Sequence, residues 1–256
     1  MRVDKSREDD FPVSALISNY RGSSYEGLPA GAAGLHEKAF GLFRKYVSSG
    51  ARVLDLGSGS GAWAKRLHDA SYDVTACDFK VPKERFEFPY HQVDLNQDFG
   101  ATFGNGGFDA VSIMEVIEHL ENPRHTFRQI KPLLKKGGIV LLTTPNASGL
   151  YSRLRFFFTG QMAMFTDRAY GIKMTNGSYY RPASGSHITP LTVWHLEKVF
   201  YESELKPLER RFHDTPFFPP RSSGDLAKIV AWGIFRAFMF GTVGGQIILY
   251  ILKNDG

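Results

Sequence analysis

Apolar positions along this chain alternate between helical stripes and short branched runs. Leu35, Ala39, Leu42, Phe43, Tyr46 and Val47 recur at helical spacing through LHEKAFGLFRKYV, and Gly50 can supply the left-handed cap that ends this helix. Four runs rich in branched residues follow: ARVLDL (51–56), YDVTACD (72–78), FDAVSIM (108–114) and GGIVLLTTP (137–145). Between them, SGAWAKRLHDA reads as one covering helix and NPRHTFRQIKPLL as another, with Asn122 as N-cap and Pro123 at the first helical position. Strand–helix–strand repetition predicts an α/β fold, a mostly parallel sheet with helices on both faces.

Past residue 145 the alternation breaks. The segment from about 147 to 186 is rich in aromatics and glycine and too long for an ordinary connection, which makes it a candidate substrate lid. TPLTVWHLEKVFYES resumes as a helix, with Thr189 or Thr192 at its start and Leu191, Trp194, Leu196, Val199 and Phe200 as expected burial sites. LKPLERRF (205–212) and GGQIILYIL (244–252) read as the last strands, separated by a second insertion at about 214–243. The apolar stretch from Ile229 to Leu252 could span a bilayer by length alone, but Gly241, Gly244 and Gly245 divide it into a helix, about 225–240, and a strand. That helix either packs as a lid or lies on a bilayer with Lys228 and Arg236 at the headgroups.

Composition narrows the class. A chain of 256 residues, 43% hydrophobic and 22% charged, suits one globular α/β domain with insertions. Residues 1 to about 30 carry mixed charges and turn-formers, which predicts a flexible segment ahead of a domain at 31–256. The net charge of +5 is compatible with an anionic substrate, RNA or a lipid headgroup and does not choose among them. Cys77 is the only cysteine, which excludes internal disulfides and multi-cysteine metal sites. The N-terminus has no apolar signal region, so a cytoplasmic location is expected.

Candidate chemistry starts at VLDLGSGSGAW, which runs from a strand into a helix. Gly57, Gly59 and Gly61 allow a tight turn and close approach of a nucleotide-like ligand to free helix N–H groups. Gly57, Gly59 and Ala62 also satisfy the dinucleotide pattern. Asp55 tips the balance, because a carboxylate just before the first glycine can pair with the ammonium of S-adenosylmethionine and would repel a pyrophosphate. Leu56 and Ser58 complete the turn, and Asp78 ends the next strand, where an acid can accept both ribose hydroxyls. Asp94 is placed to meet the adenine amine, with Leu95 or Phe79 flanking the ring and Met114 ending the strand beside the turn.

VLDLGSGSG, ACD, VDL, FDAVSIMEVIEHLENP and LKKGGIVLLTTPN stand in the order and spacing of class I S-adenosylmethionine-dependent methyltransferases. The resemblance covers residues 36–146 closely and implies a Rossmann-like, seven-stranded, mostly parallel sheet with its last strand antiparallel. The form Glu-Val-Ile-Glu-His resembles ubiquinone-pathway O-methyltransferases and small-RNA terminal-ribose O-methyltransferases in particular. In both groups this motif and a later histidine are associated with a divalent metal. Carried over, the ligands are Glu115, Glu118, His119 and His187.

Residues i, i+3 and i+4 share a face of a helical turn, so Glu115, Glu118 and His119 are expected to converge. Carboxylates with imidazoles suit Mg²⁺ or Mn²⁺. Against this, acids at a helix start are also favoured by the macrodipole without any metal, in which case His119 or His187 is the candidate base for the hydroxyl proton. The expected activity is O-methylation of a hydrophobic or lipid-linked acceptor such as a quinone precursor or glycolipid, with peripheral contact to the inner face of a membrane through 225–240. RNA ribose methylation is the alternative, and a non-catalytic cofactor-binding regulator is the alternative of another class.

Overall fold

The computed structural model describes residues 22–165, 187–213 and 245–256. A hairpin of β1 (Gly22–Tyr25) and β2 (Leu28–Ala32) precedes helix α1 (Leu35–Phe43). The sheet is built from β3 (Arg52–Leu56), β4 (Asp73–Asp78), β5 (Tyr90–Gln92), β6 (Phe108–Met114), β7 (Leu134–Pro145), β8 (Leu205–His213) and β9 (Ile247–Asn254). Helices α2 (Ala62–Asp69), α3 (Gly100–Phe103), α4 (Pro123–Leu133), α5 (Leu150–Thr159) and α6 (Val193–Glu202) connect them.

Strand order is β5-β4-β3-β6-β7-β9-β8. β3 through β7 pair in parallel, and β9 runs antiparallel between β7 and β8. The four predicted runs and the two late strands are therefore all present, in one seven-stranded sheet. The branched runs form its centre because both of their faces are covered. Leu54, Leu56, Val111 and Ile113 enter a core with Phe127, Ile130 and Phe200. Their neighbours Val53 and Ala110 enter a second core with Phe43, Trp63, Leu67 and Leu249. Period-two alternation thus feeds two apolar layers, one on each side of the sheet.

Asn122 caps α4, its Oδ1 accepting from the His125 N–H at 3.1 Å, with Pro123 at the first turn. Thr192 caps α6 in the same way, accepting from His195 N–H at 3.2 Å.

Four expectations are corrected. Residues 22–30, read as part of a flexible segment, belong to the β1–β2 hairpin and its turn; 1–21 lie outside the described residues. Helix α1 ends at Phe43, and Gly50, at φ 79°, serves the turn before β3 instead of capping the helix. Trp194 is 66% exposed, because one turn of α6 places it opposite Leu196, Val199 and Phe200. β7 begins at Leu134, before GGIVLLTTP, with a register shift against β6 between Phe108 and Ala110. Within the predicted lid, 150–159 is helical, and 166–186 lies outside the described residues. The 214–243 insertion, including the predicted helix at 225–240, lies outside them too. No helix among the described residues is long and apolar enough to cross a membrane.

Candidate functional site

The carboxyl ends of β3, β6 and β7 meet where the sheet order reverses direction, the place at which open α/β sheets bind ligands. Here Asp55 lies opposite Ser112 across β3 and β6, and the Ser112 hydroxyl donates to Asp55 Oδ1 at 2.7 Å. Asp55 Oδ2 is buried and has no hydrogen-bond partner. Burial pushes its carboxyl up to about 6, against the lowering influence of the Ser58 and Ser112 hydroxyls.

The glycine turn beside it is held from β4. Ser58 N–H donates to Cys77 O at 2.9 Å, Gly59 N–H donates to Asp78 Oδ2 at 2.9 Å, and the Tyr90 hydroxyl donates to Gly59 O at 3.0 Å. Gly57 has φ +70°, and a Cβ there would stand 2.4 Å from Val116 Cγ2. Only glycine combines that backbone with that approach.

A cavity of ≈ 160 Å³ opens at this point. Of the predicted cofactor residues, Asp55, Gly57, Ser58, Gly59 and Met114 line it. Leu56 does not, because its side chain is fully buried in the core. Asp78, Phe79, Asp94 and Leu95 also lie outside the lining. Phe79 is 60% exposed, Leu95 is buried, and Asp94 Oδ1 accepts from Asn96 N–H at 2.9 Å. The lining residues not singled out from the sequence include two with polar rings, His36 and Trp63. Both sit at regular helical positions, where periodicity alone does not separate cavity wall from core.

Glu115, also in the lining, departs from the expected helical face. It has φ 54°, and only Ile117–His119 forms a 3₁₀ turn, so the i, i+3, i+4 geometry does not arise. Thr143 fixes it instead, accepting from Glu115 N–H at 3.1 Å and donating to Glu115 Oε1 at 3.0 Å. Burial pushes the Glu115 carboxyl up to about 7.

Glu118, His119 and His187 converge: one ligand atom from each lies within 4.8 Å of the others. Glu118 is fully buried, its Oε2 accepting from the Thr144 hydroxyl at 3.0 Å while Oε1 has no hydrogen-bond partner. His187 Nε2 stands 4.0 Å from that oxygen, and the His119 and His187 rings are 4.7 Å apart. The late histidine is brought here by backbone bonds, since Ile188 and Thr189 N–H both donate to Glu118 O at 2.9 Å. Burial, then the charge on Glu115, holds the Glu118 carboxyl well above the usual range, and burial lowers His187 to about 4. The buried Glu118 carboxyl feels the charge of the half-buried Glu115, and among the described residues no lysine or arginine forms an ion pair with either.

A family model described as a methyltransferase domain matches residues 32–209, more than half of the chain. The chain belongs to the methyltransferase-domain family. By that family it is an S-adenosylmethionine-dependent methyltransferase, and its sheet is of the Rossmann-like class I fold.

Curated relatives of this methyltransferase include ubiquinone biosynthesis O-methyltransferases from Xanthomonas axonopodis pv. citri, 36% identical over 116 residues (40% of this chain, 48% of the relative), and from Xanthomonas campestris pv. campestris, 37% identical over 106 residues (38% and 44%). The match thus spans about half the length of those relatives. The fold is similar to a Burkholderia thailandensis 1,6-didemethyltoxoflavin-N1-methyltransferase with bound S-adenosylhomocysteine (TM-score 0.56, 12% identity, 86% of this chain and 78% of that one). It is also similar to an Archaeoglobus fulgidus SAM-dependent methyltransferase (TM-score 0.54, 16% identity, 87% and 95%).

Proposed function

We propose that this methyltransferase transfers the methyl group of S-adenosylmethionine to a hydroxyl oxygen of a hydrophobic or lipid-linked acceptor, with a divalent cation held by Glu118, His119 and His187. The observation that carries the reading is the orphaned Glu118 Oε1 facing His187 within the three-residue cluster. Buried carboxylate oxygen and imidazole nitrogen form a donor set suited to Mg²⁺ or Mn²⁺, and an unpaired buried carboxylate is costly without a cation. Such an ion, when bound, lowers the pKa of an acceptor hydroxyl and orients it.

The chain's own residues supply the rest. Asp55 and the glycine turn hold the cofactor, and Asp78, by its place at the end of β4, serves the ribose. Glu115 forms the wall between cofactor cavity and acceptor side, fixed there by Thr143. Were no cation bound, His187, kept neutral because burial lowers it to about 4, would be the base for the hydroxyl proton instead. The methyl carbon is then displaced directly from sulfur to oxygen, and the protein forms no covalent intermediate.

A hydrophobic acceptor is supported by the similarity to ubiquinone biosynthesis O-methyltransferases and by exposed Phe156, Phe157 and Phe158 on α5, beside Arg153 and Arg155. The same aromatic and basic mixture supports peripheral contact with a membrane surface. The test is transfer of labelled methyl groups from the cofactor into separated lipid and RNA extracts, with and without a chelator. Label in the lipid fraction that is lost on chelation is expected. Label in RNA alone, or label indifferent to chelator, would overturn the acceptor class or the cation respectively.

A further inference from the structure

Four buried polar atoms on residues of the cofactor cavity lack partners: Asp55 Oδ2, Ser58 Oγ, His36 Nδ1 and Trp63 Nε1. Asp55 is 2% exposed, Trp63 3% and His36 6%. An orphaned buried polar atom costs about 1–3 kcal/mol, so four around one cavity call for a ligand that satisfies them. Their chemistry is of two kinds. An ionised Asp55 only accepts, whereas the indole N–H of Trp63 only donates, and the imidazole of His36 carries a further donor.

The rings are arranged together. Trp63, in the first turn of α2, meets His36 of α1 edge to face at 5.4 Å, and Phe40 and Phe43 pack around the same indole at 6.4 and 6.2 Å. The apolar surround strengthens any hydrogen bond these rings give to a charged acceptor. Arg66 does not line the cavity: its Nη2 pairs with Glu37 at 2.7 Å and its guanidinium lies over the Tyr25 ring, while its Nε is buried without a partner.

We infer that Trp63 and His36 form the carboxylate-recognising half of the cofactor cavity, opposite Asp55, so that the three residues together read the α-amino-acid end of S-adenosylmethionine. The inference rests on the cofactor reading and deepens it. An ammonium meets Asp55 Oδ2, and the neighbouring carboxylate accepts from Trp63 Nε1–H and His36. A ligand with the nucleoside and thioether but no amino acid leaves all three orphaned.

The test compares two ligands in each protein: S-adenosylhomocysteine, and 5′-methylthioadenosine, which lacks the amino-acid group. Dissociation constants are measured by calorimetry for the full chain and for Trp63→Phe, which keeps the ring packing and deletes the N–H. Loss of one hydrogen bond to a charged group is expected to weaken S-adenosylhomocysteine about ten- to a hundredfold while leaving methylthioadenosine unchanged. Because both constants come from one sample, general loosening of the fold cancels in their ratio. His36→Asn, measured the same way, is expected to shift the ratio in the same direction and stands in if Trp63→Phe does not fold. An unchanged ratio in both variants would overturn the assignment. Failure of the unaltered protein to bind S-adenosylhomocysteine would overturn the cofactor reading and this inference with it.

Discussion

His187 Nε2 lies 4.0 Å from Glu118 Oε1, across a gap that no hydrogen bond fills. The two residues are joined through the backbone, because the amides after His187 are tied to the Glu118 carbonyl. Glu118→Gln keeps the shape of this contact and removes its charge. Turnover should fall on the order of a hundredfold, while affinity for S-adenosylhomocysteine stays within about twofold, because Glu118 lies outside the cofactor cavity. Steady-state kinetics beside a binding isotherm checks the split, and equal losses in both would assign Glu118 to cofactor binding.

Gly57 and Gly59 predict opposite outcomes for the same substitution. Gly57→Ala must displace Val116, met at 2.4 Å, and should lose at least about 1–3 kcal/mol of stability together with cofactor affinity. Gly59→Ala meets nothing within 4 Å and carries only the left-handed backbone penalty, about 1 kcal/mol. Thermal melts of the two variants should be separated by several degrees, and coincident melts would contradict the packing described.

Six of the seven sheet strands and the Asn122 cap were legible because each rests on local pattern, branched runs and a side chain three residues before its amide, whereas the three-residue β5 and the β1–β2 hairpin are too short to show one. The convergence of Glu118, His119 and His187 was legible, whereas the geometry of Glu115 was misread. Glu115 looked like the first residue of a helical face, but Thr143 of the neighbouring strand holds it in a left-handed conformation that no local periodicity encodes. His36 and Trp63 were hidden for the converse reason. Both follow helical burial, and only the tertiary meeting of α1 with α2 makes them cavity wall.

His36 also makes stability depend on pH. Burial, reinforced by the positive charge of Arg66, lowers its folded pKa to about 4, below the value of the unfolded chain. The neutral form is therefore favoured by folding, and its contribution is complete above about pH 6.5 and lost as pH falls through about 4, a loss of up to about 3 kcal/mol. Urea midpoints should drop between pH 7 and pH 4.5, and His36→Asn should drop less. Parallel profiles for the two proteins would show that His36 does not titrate in this way.

Asn122→Ala should destabilise the protein by about 1 kcal/mol, since it removes the bond to His125 N–H, whereas Asn122→Asp should be nearly neutral. Chemical denaturation of the pair checks this, and a large loss in the aspartate variant would point to a role beyond capping.

The central claim is that Glu118, His119 and His187 hold a divalent cation beside the cofactor cavity. Titration with Mn²⁺ followed by electron paramagnetic resonance tests it most directly. The expected result is loss of the free-ion signal up to one Mn²⁺ per chain in the unaltered protein, with that binding abolished in Glu118→Gln and in His187→Ala. A free-ion signal that rises from the first addition, identical in all three proteins, would contradict it.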